Sequence, residues 1–191
     1  VSNENQEEIA TILEQTEKLD FLIQSLVKLS RMESGIIAVH SEDTTIAQMF
    51  ASVQQQFNVK VREKNITLSL CDTDLHIRCD SKWTVEALGN IVDNAIKYTA
   101  CGGNVQIKVE QYSFFVKIDI IDDGIGIEKE EIPKIFGRFY RSLSVADQPG
   151  VGIGLFLARE IIQAQKGYIK VTSEREKGSI LSLIHISEPT R

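Results

Sequence analysis

The hydrophobic positions of the first 35 residues repeat with alternating steps of three and four. The repeat comprises Ile9, Ile12, Thr16, Leu19, Ile23, Leu26 and Ser30, and Leu13, Leu22, Val27 and Leu29 widen it. This spacing is typical of an amphipathic bundle helix, which we predict to end near Gly35. Its apolar face needs a partner to cover it, and a linker near residues 36–43 follows.

Beyond the linker, helical and strand periods alternate along the chain. We predict helices over residues 46–61, 81–98 and 155–165, and strands over residues 66–71, 105–110, 114–121, 168–173 and 179–183. Apolar side chains alternate at Val105, Ile107 and Val109, and again from Val116 to Ile120. The sheet should therefore bury one face under the helices, which gives an α+β chain folded as a two-layer α/β sandwich.

The helix predicted over residues 81–98 carries a polar stripe opposite its apolar face. At roughly 100° per residue, Glu86, Asn90, Asn94 and Lys97 fall within about 80° of one another. A solvated surface stripe is the plain interpretation. However, two asparagines one turn apart lower helix propensity without structural return, so we interpret them as oxygen ligands for a cation.

Two glycine-rich strings lie downstream, Asp-Asp-Gly-Ile-Gly over residues 122–126 and Gly-Val-Gly-Ile-Gly-Leu over residues 150–155. Each allows the backbone to approach the base or the phosphates of a nucleotide closely. Either string alone is equally typical of a tight turn. Together with the polar helix they indicate chemistry on ATP.

Four segments in order resemble the sequence boxes of sensor histidine kinases. Residues 90–98 resemble the N box, 122–126 the G1 box, 136–141 the F box and 150–155 the G2 box, and the resemblance extends over residues 5–183. It implies a Bergerat-type ATP-binding fold, with a mixed sheet covered by helices, over residues 37–183. Residues 1–36 then resemble the second helix of a dimerisation and histidine-phosphotransfer hairpin.

The resemblance also implies roles for individual residues. Asn94 would be the Mg²⁺ ligand with Asn90 beside it, and Asp122 would accept a hydrogen bond from the adenine amino group. Lys97 and Arg141 would meet the phosphates, so the catalytic set is Asn90, Asn94, Lys97 and Arg141. The other nucleotide contacts implied are Tyr98, Gly124, Gly126, Ile127, Gly150, Gly152, Gly154 and Leu155.

Residues 128–149 form a long connection between the two glycine boxes, with charges, aromatics and two prolines. A connection of this length inside a compact domain is usually functional, so we expect a lid that orders over ATP and is latched to the core by its aromatic side chains. Arg138 is equally well explained as a phosphate ligand or as a solubilising charge.

Composition narrows the possible partners. A net charge of −6 without a basic stripe argues against nucleic acid as the main partner. Three cysteines without close spacing indicate neither a disulfide framework nor a zinc site. No run of about twenty apolar residues is present, so we expect no membrane insertion by these residues.

The ends of the chain carry expectations of their own. The sequence begins at Val1, and we expect it to be a piece of a longer parent protein. That parent protein would be anchored in a membrane and would hold this region on the cytoplasmic side. Residues 184–191 resemble a non-native tail. His40, His76 and His185 lack the setting of a phosphorylated histidine, which would lie on a missing first helix.

The resemblance implies an ATP-dependent protein-histidine kinase that relays phosphate to an aspartate of a response regulator receiver domain and dimerises through the bundle helices in the full-length protein. A hydrolysing ATPase of the same superfamily is disfavoured because Asn90 replaces the water-activating glutamate, although Glu86 lies one turn earlier. A non-catalytic nucleotide sensor would need most of the same residues. The bundle helix speaks against a serine-directed anti-sigma kinase.

Overall fold

The computed structural model describes residues 3–33, 39–145, 148 and 150–186, which form four helices and seven strands. The helices are α1 (Asn3–Glu33), α2 (Ile46–Glu63), α3 (Ser81–Tyr98) and α4 (Gly154–Ala164). The strands are β1 (Glu42–Thr45), β2 (Thr67–Leu70), β3 (His76–Cys79), β4 (Asn104–Gln111), β5 (Phe115–Asp122), β6 (Tyr168–Glu174) and β7 (Gly178–Ile186). A single 3₁₀ turn covers Leu143–Val145.

Five strands form one mixed sheet in the order β2-β4-β5-β7-β6. Strand β2 runs parallel to β4, and the other neighbouring pairs are antiparallel. Strands β1 and β3 form a separate antiparallel pair. The predicted mixed sheet is confirmed, whereas β1 was not predicted and overlaps the end of the segment that we expected to be linker.

The predicted buried face of the sheet is confirmed. Ile107 pairs with Ile120 across β4 and β5, and both are fully buried. Val109 is half-buried at the rim of the same face. The helical side of the core comes from α2, α3 and α4, whose buried apolar residues include Phe50, Val53, Leu88, Ile91, Leu157 and Ile161. The two-layer sandwich is therefore as predicted.

A buried polar cluster fixes the start of α3. The Asp80 carboxylate accepts from the Trp83 backbone N–H (3.1 Å), which caps the helix, and also from the His40 backbone N–H (3.0 Å). The backbone N–H of Asp80 donates to Gln165 Oε1 at the end of α4 (2.8 Å). The cluster thus joins the segment before β1 to two helices of the sandwich.

Helix α1 is confirmed as a long helix, while its predicted end at Gly35 lies outside the described residues. Leu22 packs against the core of the sandwich. Ile12 and Leu19, on the predicted apolar stripe, are 64% and 57% exposed. Most of the stripe is therefore open to solvent in this chain. Within the described residues, no helix is both long enough and apolar enough to cross a lipid bilayer.

Strand β7 is longer than predicted. It continues past residue 183 to Ile186, because Ile184 pairs with both Lys117 and Tyr168 and is buried. The Nε2–H of His185 donates to the Arg78 carbonyl (2.8 Å). Residues 184–186 thus belong to the sheet and residues 187–191 lie outside the description, so the non-native origin of residues 184–191 stays a prediction.

Candidate functional site

A cavity of about 460 Å³ opens beside α3 and the start of α4. Its walls also include part of α2, the turn after β5, the segment before α4 and the start of β7. The cavity brings together Asn90, Asn94, Lys97, Tyr98, Asp122, Gly126, Ile127, Arg141, Gly150, Gly152, Gly154 and Leu155. Of the predicted site residues, only Gly124 is missing from this lining.

The polar stripe of α3 faces the cavity. The side-chain amide of Asn90 donates to the Glu86 carbonyl (2.9 Å), which turns its oxygen towards the glycine-rich start of α4. A β-carbon built on Gly154 would lie 3.1 Å from that oxygen. The two sequence boxes are therefore in direct contact, and a larger residue at position 154 would displace Asn90.

The donor set fits Mg²⁺. Asn90 and Asn94 bring amide oxygens to the cavity, and the described residues contain no cluster of three or more His, Cys, Asp or Glu side chains that could hold a metal. A divalent ion held by these two side chains would take one or two amide oxygens and fill the rest of its shell with water and any phosphate present. Mg²⁺ prefers such a shell because it gives up its water reluctantly.

Two cations share the part of the cavity near the end of α3. The Lys97 ammonium lies 4.8 Å from the ring centroid of Tyr98 and 2.6 Å from where a β-carbon on Gly150 would stand. Burial, and next the charge of Arg141, lower the pKa of Lys97. A bound anion would relieve both effects, so this corner of the cavity suits a phosphate.

Asp122 is the buried carboxylate of the site, with 8% of its surface exposed. Its Oδ1 accepts from the Gly124 backbone N–H (2.9 Å), and the Ser179 backbone N–H also donates to the carboxylate. Burial is the largest influence and raises the pKa of Asp122. A carboxylate fixed by backbone amides at the cavity wall can accept a hydrogen bond from a ligand amino group.

Two glycines after β5 are required by close packing against the protein itself, which the sequence did not reveal. A β-carbon on Gly124 would lie 2.6 Å from the Tyr98 carbonyl oxygen. Gly126 has a φ of +69°, and a β-carbon there would lie 2.1 Å from the Glu174 carbonyl oxygen. Both glycines therefore allow the turn to pack against the protein itself, whatever their distance from a bound base.

Arg141 organises the segment between the glycine boxes. Its guanidinium donates to the carbonyls of Val145 (3.0 Å) and Gln148, and the side chain also lines the cavity. Nearby, the Tyr140 hydroxyl donates to the Glu131 carboxylate (3.1 Å). The described residues of the predicted lid thus form turns that are held by these side chains, and contact between Arg141 and a phosphate stays a prediction.

The aromatic latch expected in the lid is partly present. Arg138 packs over the ring of Phe156 in α4 (4.7 Å), and Arg159 lies between the rings of Phe136 and Phe156 at 5.6 and 5.4 Å. Phe139 has a φ of 60° and is 55% exposed, so it does not contribute to the latch. Arg138 is therefore a packing residue of the lid in this structure.

Sequence reasoning missed the contribution of α2. Gln56, Phe57 and Lys60 line the cavity, and the Lys60 ammonium pairs with the Asp93 carboxylate at 2.6 Å. One signal was available: a β-carbon on Gly89, in the middle of α3, would lie 3.3 Å from the Gln56 side chain. A glycine inside a helix indicates the close approach of another group.

Comparisons with known proteins agree with this geometry. The family described as histidine kinase-, DNA gyrase B-, and HSP90-like ATPase matches residues 79–190. The sensor histidine kinase WalK of Bacillus subtilis is 31% identical over 173 residues, which are 88% of this chain and 28% of WalK. The chain spans roughly a third or less of the length of the first sensor kinases that it matches.

Solved structures give the same fold. The Acinetobacter baumannii histidine kinase AdeS superimposes with a TM-score of 0.77 at 25% identity, over 95% of this chain and 84% of that one. The histidine kinase ThkA, solved in complex with the response regulator protein TrrA, superimposes with a TM-score of 0.79 over 99% of this chain and 53% of that one. The identity to ThkA is 21%, so this second likeness concerns the fold alone.

Proposed function

Because the chain belongs to the histidine kinase-, DNA gyrase B-, and HSP90-like ATPase family, we propose that it is the ATP-binding catalytic region of a sensor histidine kinase. This membership confirms the resemblance that the four sequence boxes indicated. The activity is transfer of the terminal phosphoryl group of ATP to a histidine nitrogen that lies outside this chain.

One observation carries the proposal: a single cavity combines an adenine-type acceptor with a phosphate-type corner. Asp122 supplies the buried carboxylate, while Lys97 and the glycine-rich start of α4 supply positive potential. The Asp122 carboxylate distinguishes adenine from guanine, because the guanine carbonyl would leave this buried acceptor unpaired.

Asn94, with Asn90 beside it, would hold Mg²⁺ in this site. When bound, Mg²⁺ neutralises charge on the phosphates. The residues of the chain orient the nucleotide: Asp122 fixes the base, and Lys97 and Arg141 stabilise negative charge at the transferred group. An imidazole is a sufficient nucleophile once it is positioned, so the chain needs no strong general base.

The position of Asn90 separates this activity from ATP hydrolysis. Its side chain lines the cavity and donates to the Glu86 carbonyl, and an amide cannot accept a proton usefully near neutral pH. Glu86 also lines the cavity, and this observation favours a hydrolysing ATPase as the second candidate. If Glu86 activated water, Glu86→Gln would abolish phosphate release from ATP, whereas we expect the release to be slow in both proteins.

The partners follow from the same proposal. ThkA was solved with a response regulator protein, and we propose a response regulator receiver domain as the final acceptor for this chain. The exposed apolar stripe of α1 would pair with a second copy in the full-length homodimer. Because ATP and response regulators are cytoplasmic, this region would face the cytoplasm beneath a membrane-anchored parent.

Phosphorylation of a supplied acceptor domain tests the proposal. The chain is mixed with Mg²⁺-ATP and a histidine-containing hairpin from a sensor kinase, and acid-labile, base-stable label is counted on the hairpin. We expect Asn94→Ala to slow transfer by about tenfold or more, because even outer-shell partners of metal sites are worth that much.

Asn58→Ala is the matched control, because Asn58 is exposed on α2 and does not line the cavity. It should transfer phosphate at the native rate. Native transfer by Asn94→Ala would remove Asn94 from the metal role, and absence of label with the native chain would remove the kinase proposal.

A further inference from the structure

Lys64, the residue that follows α2, contacts the C-terminal end of α3. Its ammonium group donates to three backbone carbonyls, those of Ile96 (2.9 Å), Lys97 (2.6 Å) and Thr99 (2.7 Å). An ammonium carries three N–H donors and is therefore matched one to one with these three acceptors. Positive charge at the C-terminal end of a helix is also favourable towards the helix dipole.

The remaining carbonyls of the last turn have partners elsewhere. The carbonyl of Ala95 accepts from the Thr99 backbone N–H (3.1 Å), and that of Tyr98 accepts from the Ile125 backbone N–H (3.3 Å). The last four carbonyls of a helix have no partner within the helix, and here Lys64 satisfies two of the four. The Tyr98 carbonyl is the one that holds the glycine-rich turn after β5.

This arrangement connects Lys64 to the nucleotide cavity, which it does not line. Lys97 and Tyr98 lie in the anchored turn, and both side chains line the cavity. The turn after β5 rests on the same backbone, since a β-carbon on Gly124 would lie 2.6 Å from the Tyr98 carbonyl oxygen. A shift of the last turn of α3 would therefore move the phosphate corner and the adenine turn together.

Lys64 is itself fixed by backbone contacts. Its N–H donates to the Lys60 carbonyl (3.2 Å), and its carbonyl accepts from the Gly102 backbone N–H (3.1 Å). The side chain is half-buried rather than free in solvent. The ammonium is thus held from a rigid element, which is the condition for positioning another part of the site accurately.

We infer that Lys64 is a positioning residue for nucleotide binding: by anchoring the Ile96, Lys97 and Thr99 carbonyls it sets the place of Lys97, Tyr98 and the turn after β5. The inference rests on the proposed ATP-binding function for its effect on affinity. The anchoring of the last turn of α3, which is the structural part of the inference, does not depend on a nucleotide.

Lys64→Met tests both halves, because methionine keeps the length of the side chain and loses the donors. We expect ATP affinity in calorimetry to fall by about five- to thirtyfold, because losing these hydrogen bonds destabilises the native position of the last turn, and a site that is competent for only a fraction of the time binds more weakly by that fraction. Without nucleotide, the amides of Thr99 and Ile125 should exchange with deuterium about tenfold faster, because the hydrogen bonds of the last turn open more often.

Two controls separate positioning from charge and from general destabilisation. Arg62→Met removes the same charge from an exposed site near the same end of α2, and it should keep native affinity and native exchange. Ile77→Val creates a small defect in buried β3, away from the cavity, and should lower the melting temperature without changing the affinity. Salt should not abolish the effect of Lys64→Met, since screening weakens only the long-range Coulomb contribution.

The outcomes are distinguishable. Native exchange at Thr99 and Ile125 in Lys64→Met would overturn the inference whether or not ATP binds. Faster exchange with unchanged ATP affinity would reduce Lys64 to a structural cap and would also overturn it. Failure of the native chain to bind ATP would instead remove the proposed function, and the exchange data would still decide the anchoring.

If Lys64→Met does not fold, Lys64→Arg takes its place. The guanidinium keeps the charge but presents a planar fork in place of the tetrahedral ammonium. We then expect the same changes in exchange and affinity at smaller size, and native values for both would contradict the inference.

Discussion

Asp122→Asn tests adenine recognition with almost no change of shape. In the native chain, the carboxylate accepts from the backbone N–H groups of Gly124 and Ser179, and 8% of the residue is exposed. An asparagine has one acceptor oxygen and one NH₂ donor. In one orientation the NH₂ group meets the adenine amino group donor to donor, and in the other it meets the Gly124 backbone N–H, so adenine binding costs a hydrogen bond in either case.

The loss should be large in affinity and small in stability. A hydrogen bond to a charged group contributes about 1.5–3 kcal/mol, which corresponds to an ATP affinity about 10- to 150-fold weaker. Burial raises the pKa of Asp122, so the ionised form is destabilised by its surroundings at neutral pH. The neutral amide removes that penalty and offsets the lost backbone hydrogen bond, and we expect the free energy of unfolding to change little.

Calorimetry with ATP and GTP, paired with thermal melting, provides the measurement. Asp123→Asn is the matched control, because the Asp123 carboxylate accepts hydrogen bonds from Asn104 and does not line the cavity. Only Asp122→Asn should weaken ATP binding, and it should narrow the preference for ATP over GTP because the new NH₂ group can donate to the guanine carbonyl. Equal affinities of the native and Asp122→Asn proteins for ATP, with both folded, would refute the reasoning.

Three further outcomes are expected. Adenosine binding should weaken on acidification, because Asp122 then takes up a proton. Burial raises the pKa of Asp122, so the decline should begin at a higher pH than for an ordinary aspartate. If Asp122→Asn showed the same decline of adenosine affinity with pH, the titrating group would be another residue. Lys97→Met should weaken binding of ATP but not of adenosine, since the ammonium faces the phosphate corner; equal losses for both in calorimetry would contradict this. Gly126→Ala should destabilise the fold by more than about 1 kcal/mol in urea denaturation, because its positive φ and the Glu174 carbonyl exclude a β-carbon; a native midpoint would show that the turn can move.

Much of the sandwich can be predicted from the sequence, because the hydrophobic periods that define its helices and strands are local. Helix α3 begins at Ser81 and ends at Tyr98, as its apolar repeat predicted, and Asp80 caps its start. Strands β4 and β5 could be predicted from their alternating apolar residues, because one face of each strand packs against the helices. The same locality explains why all predicted site residues except Gly124 lie in the cavity lining.

The parts that sequence reasoning missed depend on distant contacts. Strand β1 has the sequence Glu-Asp-Thr-Thr, a poor strand by composition, and forms because it pairs with β3 more than thirty residues away. The contribution of Gln56 and Lys60 depends on the crossing of α2 over α3. The three carbonyls beneath Lys64 become neighbours only when the end of α2 meets the end of α3. Apart from Gly89, which faces Gln56, no local pattern of residues indicates these contacts.

The fate of the terminal phosphoryl group distinguishes a histidine kinase from a hydrolysing ATPase. The native chain is incubated with γ-labelled ATP, Mg²⁺ and a supplied histidine-containing hairpin, and the label is divided between acid-labile, base-stable phosphohistidine and free phosphate. We predict that most transferred label resides on the hairpin histidine and that the chain alone releases phosphate slowly and acquires no stable label. Rapid release of free phosphate, with no label on the hairpin, would contradict it.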